Sequence, residues 1–90
     1  MKISYDPAKR ALTLKERGLD FQDAVLVFAG RTATVPDQRK DYGEERFITA
    51  GHLRQRLVVL VWTHRGNTRR IISMRYGHAK EAEAWAAHLD

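Results

Sequence analysis

The sequence predicts an α+β fold: two N-terminal helices, an antiparallel three- to four-stranded sheet and a C-terminal helix, in a single domain over residues 1–90. Three observations carry this expectation. The first third of the chain holds helix-capping and stop signals around apolar residues at helical spacing. Residues 46–76 are β-branched and aromatic runs with short polar breaks. The end of the chain returns to a helical stripe. Helices set apart from an antiparallel meander define the layered α+β class.

In order, Lys2 to Tyr5 alternates polar and apolar, as a short edge strand does. Asp6-Pro7 reads as an N-cap followed by proline at the first helical position. That helix runs to about Arg17 with Ala8, Ala11 and Leu12 inward, and Gly18 stops it. Asp20 caps a second short helix whose Phe21, Ala24, Val25 and Phe28 fall at i, i+3, i+4 and i+7, and Gly30 ends it. Thr32 to Val35 is a strand backed by Pro36, and Pro36 to Glu44 is a polar loop. Arg46 to Ala50, Arg56 to Thr63 and Thr68 to Tyr76 are strands. Gly51 to Gln55 separates the first two, and the Arg65-Gly66-Asn67 turn separates the last two. Links this short require antiparallel pairing, because a parallel link needs a long crossover. His78 to Leu89 closes the chain as a helix with Ala82, Trp85 and Leu89 on one stripe.

Composition removes several classes of function. Cysteine is absent, which excludes disulfides and thiolate metal sites. No apolar run exceeds the six residues of Leu57 to Trp62, which has strand length and is too short to cross a bilayer. No signal-peptide pattern is present, so a cytoplasmic location without membrane contact is the default expectation. The net charge of +5 lies in one half of the chain. Residues 1–45 hold eight basic and eight acidic residues, whereas residues 46–90 hold eight basic and three acidic ones. Arg46 to Lys80 contains no acidic residue, the footprint of a polyanion partner or of a solvated basic face.

Motifs for phosphate-binding loops, zinc proteases, nucleophile elbows and EF-hands are missing. His52, His64, His78 and His88 lack metal-ligand spacing, so neither a metal nor a cofactor is expected. What remains is arginine on strands. Simple alternation puts Arg69, Ile71, Ser73 and Arg75 on one face and Arg70, Ile72 and Met74 on the other, one face packed on helices and the other partly open. Several arginines on one sheet without an acidic neighbour suit a phosphodiester backbone, whose oxygens match guanidinium forks. Fixed guanidinium groups also neutralise the charge that develops when the RNA 2′-hydroxyl attacks in line. A further group must move protons, and Glu44 before Arg46 and His64 at the hairpin mouth are the local candidates. Phe21, Phe28, Trp62 and Trp85 read as core, while Tyr42 and Tyr76 lie beside basic residues where they could stack on unpaired bases.

These residues carry a family pattern. Tyr5-Asp6-Pro7-Ala8-Lys9, then Gly18-Leu19-Asp20-Phe21 and Ala24 through Phe28, resemble the opening of the BrnT toxin family. So do Tyr42-Gly43-Glu44-Glu45-Arg46-Phe47, Gly51, and Arg70-Ile71-Ile72-Ser73 with Arg75. The resemblance implies a RelE-like fold and a metal-independent endoribonuclease that blocks growth by cutting RNA. It further implies a cognate BrnA-like antitoxin of the ribbon-helix-helix type, with DNA contacted only through the antitoxin complex. The family's polar positions fall on Lys15, Glu44, Arg46, Arg70 and Arg75, which are the candidate catalytic residues together with His64.

The chain departs from the family at two places. Arg17 stands where many members have histidine, and Tyr76-Gly77-His78 stands where a Lys-Ala-Asn-like stretch is common. Arg17, Tyr76 and His78 at these places, with the strand residue Arg69, are expected to bind RNA. Two other readings fit the same residues: a degenerate, non-catalytic homologue that binds the antitoxin and represses the operon, and a general nucleic-acid-binding module.

Overall fold

Helix α1 (Pro7–Arg17) starts where the Asp-Pro pair places it, in a computed structural model that describes residues 1–89. The Asp6 carboxylate accepts the Ala8 N–H at 2.9 Å, and Gly18 ends the helix in the left-handed region at φ 70°. The expected inward stripe is not there. No α1 residue is buried; Ala8 and Ala11 are exposed and Leu12 is 56% exposed. The helix lies beside the edge of a strand instead of over a sheet face, and it reaches that edge with cations. Lys9 Nζ donates to the Ile72 carbonyl at 3.5 Å and Arg17 Nη1 to the Met74 carbonyl at 3.0 Å.

Asp20 ties α1 to the next segment. It accepts the Gln22 N–H at 2.9 Å and receives Arg10 through Nε at 2.7 Å and Nη2 at 3.0 Å. The second helix opens as a 3₁₀ turn (Phe21–Asp23) before α2 (Ala24–Ala29). The tighter turn changes the phase of the buried stripe. Phe21, Ala24 and Val27 are buried, while Val25 and Phe28 are half-buried.

The strands are β1 (Lys2–Ser4), β2 (Ala33–Pro36), β3 (Arg46–Leu53), β4 (Arg56–Arg65) and β5 (Thr68–Tyr76), in the order β1-β5-β4-β3-β2. Neighbours from β2 to β5 pair antiparallel, as the short links require. The fifth strand makes the sheet mixed, because β1 pairs parallel to β5 with Lys2 opposite Thr68. All of the chain between them serves as the crossover, so the short-link argument does not reach this pair. Gly51, expected in a connection, lies inside β3, and Arg54-Gln55 alone form the turn, at φ 49° and 70°. A β-carbon at position 51 would sit 2.7 Å from Val27 Cγ1, so glycine is what lets α2 approach the sheet.

Helices pack on both faces. Leu19, Phe21, Ala24 and Val27 pack on Val58, Leu60, Trp62, Ile71 and Met74 on one side. On the other, α3 (Ala79–Leu89) directs Ala82, Trp85 and Leu89 onto Ala50, Leu57 and Val59, the stripe the sequence predicts. Of these two helix-packed faces, the α3 face is the partly open one.

Strict alternation also fails in β5. Val61 pairs with Ser73 but Trp62 pairs with Ile71, so Ile72 is an extra residue at a β-bulge. Ile71 and Met74 both join the α2-side core across it. Arg70, opposite Thr63, then shares the α3 face with Ser73 and Arg75, which lie opposite Val61 and Val59.

Candidate functional site

The bulge decides which cations share a face, although Arg46 and Arg70 do not line the cleft on that face. Arg46 lies opposite Thr63 on β3, and Arg70 lies opposite Thr63 on β5, so Arg46, Arg70 and Arg75 share the α3 face. Arg46 and Arg70 are two strand spacings apart, about 10 Å, and Arg75, five residues on but four register positions along β4 because of the bulge, is about 13 Å farther. Between these ends is a cleft of about 220 Å³ with a floor of Ile48, Val59 and Val61. Arg17, Arg39 and Arg75 surround it with the Ser73 hydroxyl.

Two of those arginines are held from behind. Arg75 donates both terminal nitrogens to Glu81, each at 2.7 Å, and Glu81 also accepts the His78 N–H at 3.0 Å. These contacts, that of Arg75 first, hold the Glu81 carboxyl down at about 2. Arg39 donates Nε and Nη2 to Asp37 at 2.8 Å each. The Asp37 side chain is fully buried, and the Arg39 contact holds its carboxyl down at about 2. Glu81 holds the Arg75 guanidinium in its charged form, raising its pKa, and the nearby Arg39 charge opposes this only weakly. Arg17 has no acidic partner among the described residues and spends one donor on the Met74 carbonyl. The picture of arginines without acidic neighbours therefore needs correcting: Glu81, the first residue past the acid-free stretch, folds back onto Arg75.

Glu44 is the second such carboxylate. It accepts Arg65 Nη1 at 2.8 Å and Arg46 Nε at 3.0 Å, and these cations, Arg65 first, hold its carboxyl below the usual range. The Tyr42 ring lies 4.2 Å from the Arg46 guanidinium, so this tyrosine stacks on its own chain. Glu44 is thereby an orienting group for Arg46 at one end of the face.

Other predicted residues fall elsewhere. His64 lies on the α2 face, its ring centroid 5.0 Å from Trp62 and 5.6 Å from Phe47. Arg69 is on that face too, 4.5 Å from both the Phe28 and Trp62 rings. Tyr76 packs against the α2-side core with the Arg56 guanidinium 3.6 Å above it, so its ring is already covered. Lys15 is exposed on α1 and is not among the residues that line the cleft. His78 is exposed at the start of α3, next to the Arg75–Glu81 corner.

Sequence reasoning missed Arg39 and Ser73. Arg39 was hidden in a loop of mixed charge, where Asp37-x-Arg39 after Pro36 was the available signal. Asp37 is no ordinary loop acid, because its N–H extends the β2–β3 pairing to the Arg46 carbonyl at 2.8 Å. Ser73 faces the cleft beside Arg75 on the α3 face.

A sheet face studded with guanidinium groups, beside a helix tied to one of them, marks a small basic α+β protein. The model of the ribonuclease toxin BrnT of type II toxin–antitoxin systems matches residues 5–81, and the chain belongs to this family. The matched span includes Arg17, Arg39, Ser73, Arg75 and Glu81. No curated protein matches the sequence significantly.

Proposed function

We propose that this chain is a metal-independent endoribonuclease whose cutting of RNA inhibits growth, with the scissile phosphate in the cleft beside α3. The observation that carries the reading is the bulge at Ile72, which collects Arg70, Ser73 and Arg75 on the face that already holds Arg46. A phosphate there would offer its oxygens to Arg17, Arg39 and Arg75, whose planar forks suit bidentate contacts. Asp37 and Glu81 fix two of these forks before RNA arrives, so little reorganisation accompanies charge development on the phosphorane.

The 2′-oxygen attacks the phosphorus in line as its hydroxyl gives up a proton to solvent. The bond to the 5′-oxygen breaks as that oxygen takes up a proton, leaving a 2′,3′-cyclic phosphate. His78 is the imidazole next to the Arg75–Glu81 corner and the candidate for that proton transfer. Glu81 and Glu44 are held as carboxylates by their arginines and act by orientation. The side chains of the cleft supply guanidinium groups and a hydroxyl, which do not hold a catalytic divalent ion. Among the described residues, no group of three or more His, Asp or Glu side chains gathers elsewhere to do so.

Membership of a type II family supports a protein antitoxin as partner. In our reading this is a BrnA-like ribbon-helix-helix protein that neutralises the toxin and supplies the DNA contacts of the pair. No helix among the described residues is long and apolar enough to cross a membrane, and the cytoplasm, where RNA and antitoxin are made, is the proposed location. Incubating the purified protein with total RNA in EDTA tests the activity. Fragments ending in 2′,3′-cyclic phosphate are expected, and intact RNA would overturn the reading.

A further inference from the structure

A second groove, of about 260 Å³, lies between α1 and β5. Its apolar lining is Leu12, Phe21 and Ile72, and its polar lining is Lys9, Thr13 and Glu16. Arg17 and Ser73 line both this groove and the phosphate cleft, so the two are neighbours divided by one guanidinium and one hydroxyl. Their chemistry differs: one is ringed by cations, and the other adds three apolar residues and the Lys9, Thr13 and Glu16 side chains to the shared pair. The groove is slightly below the roughly 300 Å³ at which small-molecule sites begin, a size for one ring system. It also accounts for α1, a helix with no buried residue that forms a wall of this open groove.

Unpaired RNA bases are held by apolar or aromatic walls and read by a few hydrogen-bonding groups on their edges. The geometry points to a nucleobase subsite between α1 and β5, taking the guanine base attached to the phosphate in the neighbouring cleft; this rests on reading that cleft as the RNA phosphate site. Guanine is selected by the Glu16 carboxylate. Its N1–H and N2 amino group give two adjacent donors to one carboxylate, and its O6 accepts from Lys9 or Thr13. Adenine and cytosine set an acceptor beside their amino group, and uracil flanks its single N–H with two carbonyls, so each brings a lone pair against Glu16.

Titration of the full chain with the four nucleoside 3′-monophosphates, followed by amide NMR in the parent and in Glu16→Gln, tests the subsite. Guanosine monophosphate should bind at least about tenfold more tightly than the other three, the range of one good bidentate edge contact. It should shift the Thr13 and Ile72 signals. Glu16→Gln, at an exposed helix position, should bring the four affinities within about twofold. Equal affinities in the parent, or a guanine preference that survives Glu16→Gln, would overturn the subsite. Two further probes separate this from the reading it rests on. Unphosphorylated guanosine should still shift Thr13 and Ile72, and inorganic phosphate should shift Ser73 and Arg75. Guanosine binding without phosphate binding would uphold the subsite and count against the cleft.

Discussion

Arg75 and Glu81 join the last strand to the last helix through two hydrogen bonds of 2.7 Å. Because Glu81 also accepts the His78 N–H, the carboxylate that orients the arginine also caps α3. The orientation of Arg75 and the start of α3 are thus coupled at one side chain.

That coupling gives a pH dependence with a definite sign. Glu81 and Asp37 are both held at about 2, below the ordinary carboxyl values of about 4.3 and 3.9. Their stabilisation is therefore complete above those values and is lost as pH falls toward 2. Denaturant unfolding at pH 5 and pH 3 should show a clear loss at the lower pH. Glu81→Gln should start less stable and lose less between the two. An identical pH dependence in parent and variant would contradict the assignment.

Arg39→Ala should weaken RNA binding by about tenfold, the loss of a charge-assisted contact, and should also destabilise the fold by about 1–3 kcal/mol by leaving the buried Asp37 unpaired. Combining it with Asp37→Asn should restore much of the stability without restoring affinity. Filter binding and thermal melts on the two variants separate these effects. Affinity that recovers together with stability would mean that Arg39 acts only on the fold.

RNA binding should be strongly salt-dependent. Several guanidinium groups on one face neutralise several phosphates, so affinity should fall by orders of magnitude between about 50 and 200 mM salt. A flat response across that range would show that the basic face does not contact the backbone.

Much of the architecture was legible locally, and the failures share a cause. Asp6-Pro7, Gly18, Asp20 and the Gly66-Asn67 hairpin are short-range devices, and each appears where the residues place it. The bulge at Ile72 has no glycine or proline to announce it; it exists only in the register of β5 against β4. Arg46, Arg70 and Arg75 could thus be singled out from the sequence, but strict alternation splits Arg70 from Arg75. Glu81 and Arg39 became visible only with the chain folded, since one is brought back by a helix start and the other by a loop anchored on Asp37. His64 looked close to the arginines because it is close along the chain, yet its ring packs with Phe47 and Trp62 on the opposite face.

Gly51→Ala tests the packing on the α2 side. The added carbon would meet Val27 Cγ1 at 2.7 Å and Thr32 Cγ2 at 3.0 Å, and overpacking of this kind costs about 1–3 kcal/mol. Chemical denaturation should show that loss. No change in midpoint would mean that α2 sits farther from β3 than described.

The most direct measurement is the RNA cleavage rate of Arg75→Ala beside the parent, with EDTA present and equal folding verified. Losing one preorganised donor to a developing oxyanion typically costs about 10²–10³ in rate, whereas losing an arginine that serves only solubility costs almost nothing. Arg75→Lys should recover part of the rate, because it keeps the charge and loses the fork. Arg54→Ala, in the β3–β4 turn and away from the cleft, is the control and should cut like the parent and still inhibit growth. A rate loss of about 10²–10³ confined to the Arg75 variants is the predicted result. Parental cleavage by a folded Arg75→Ala would contradict the placement of the scissile phosphate beside α3.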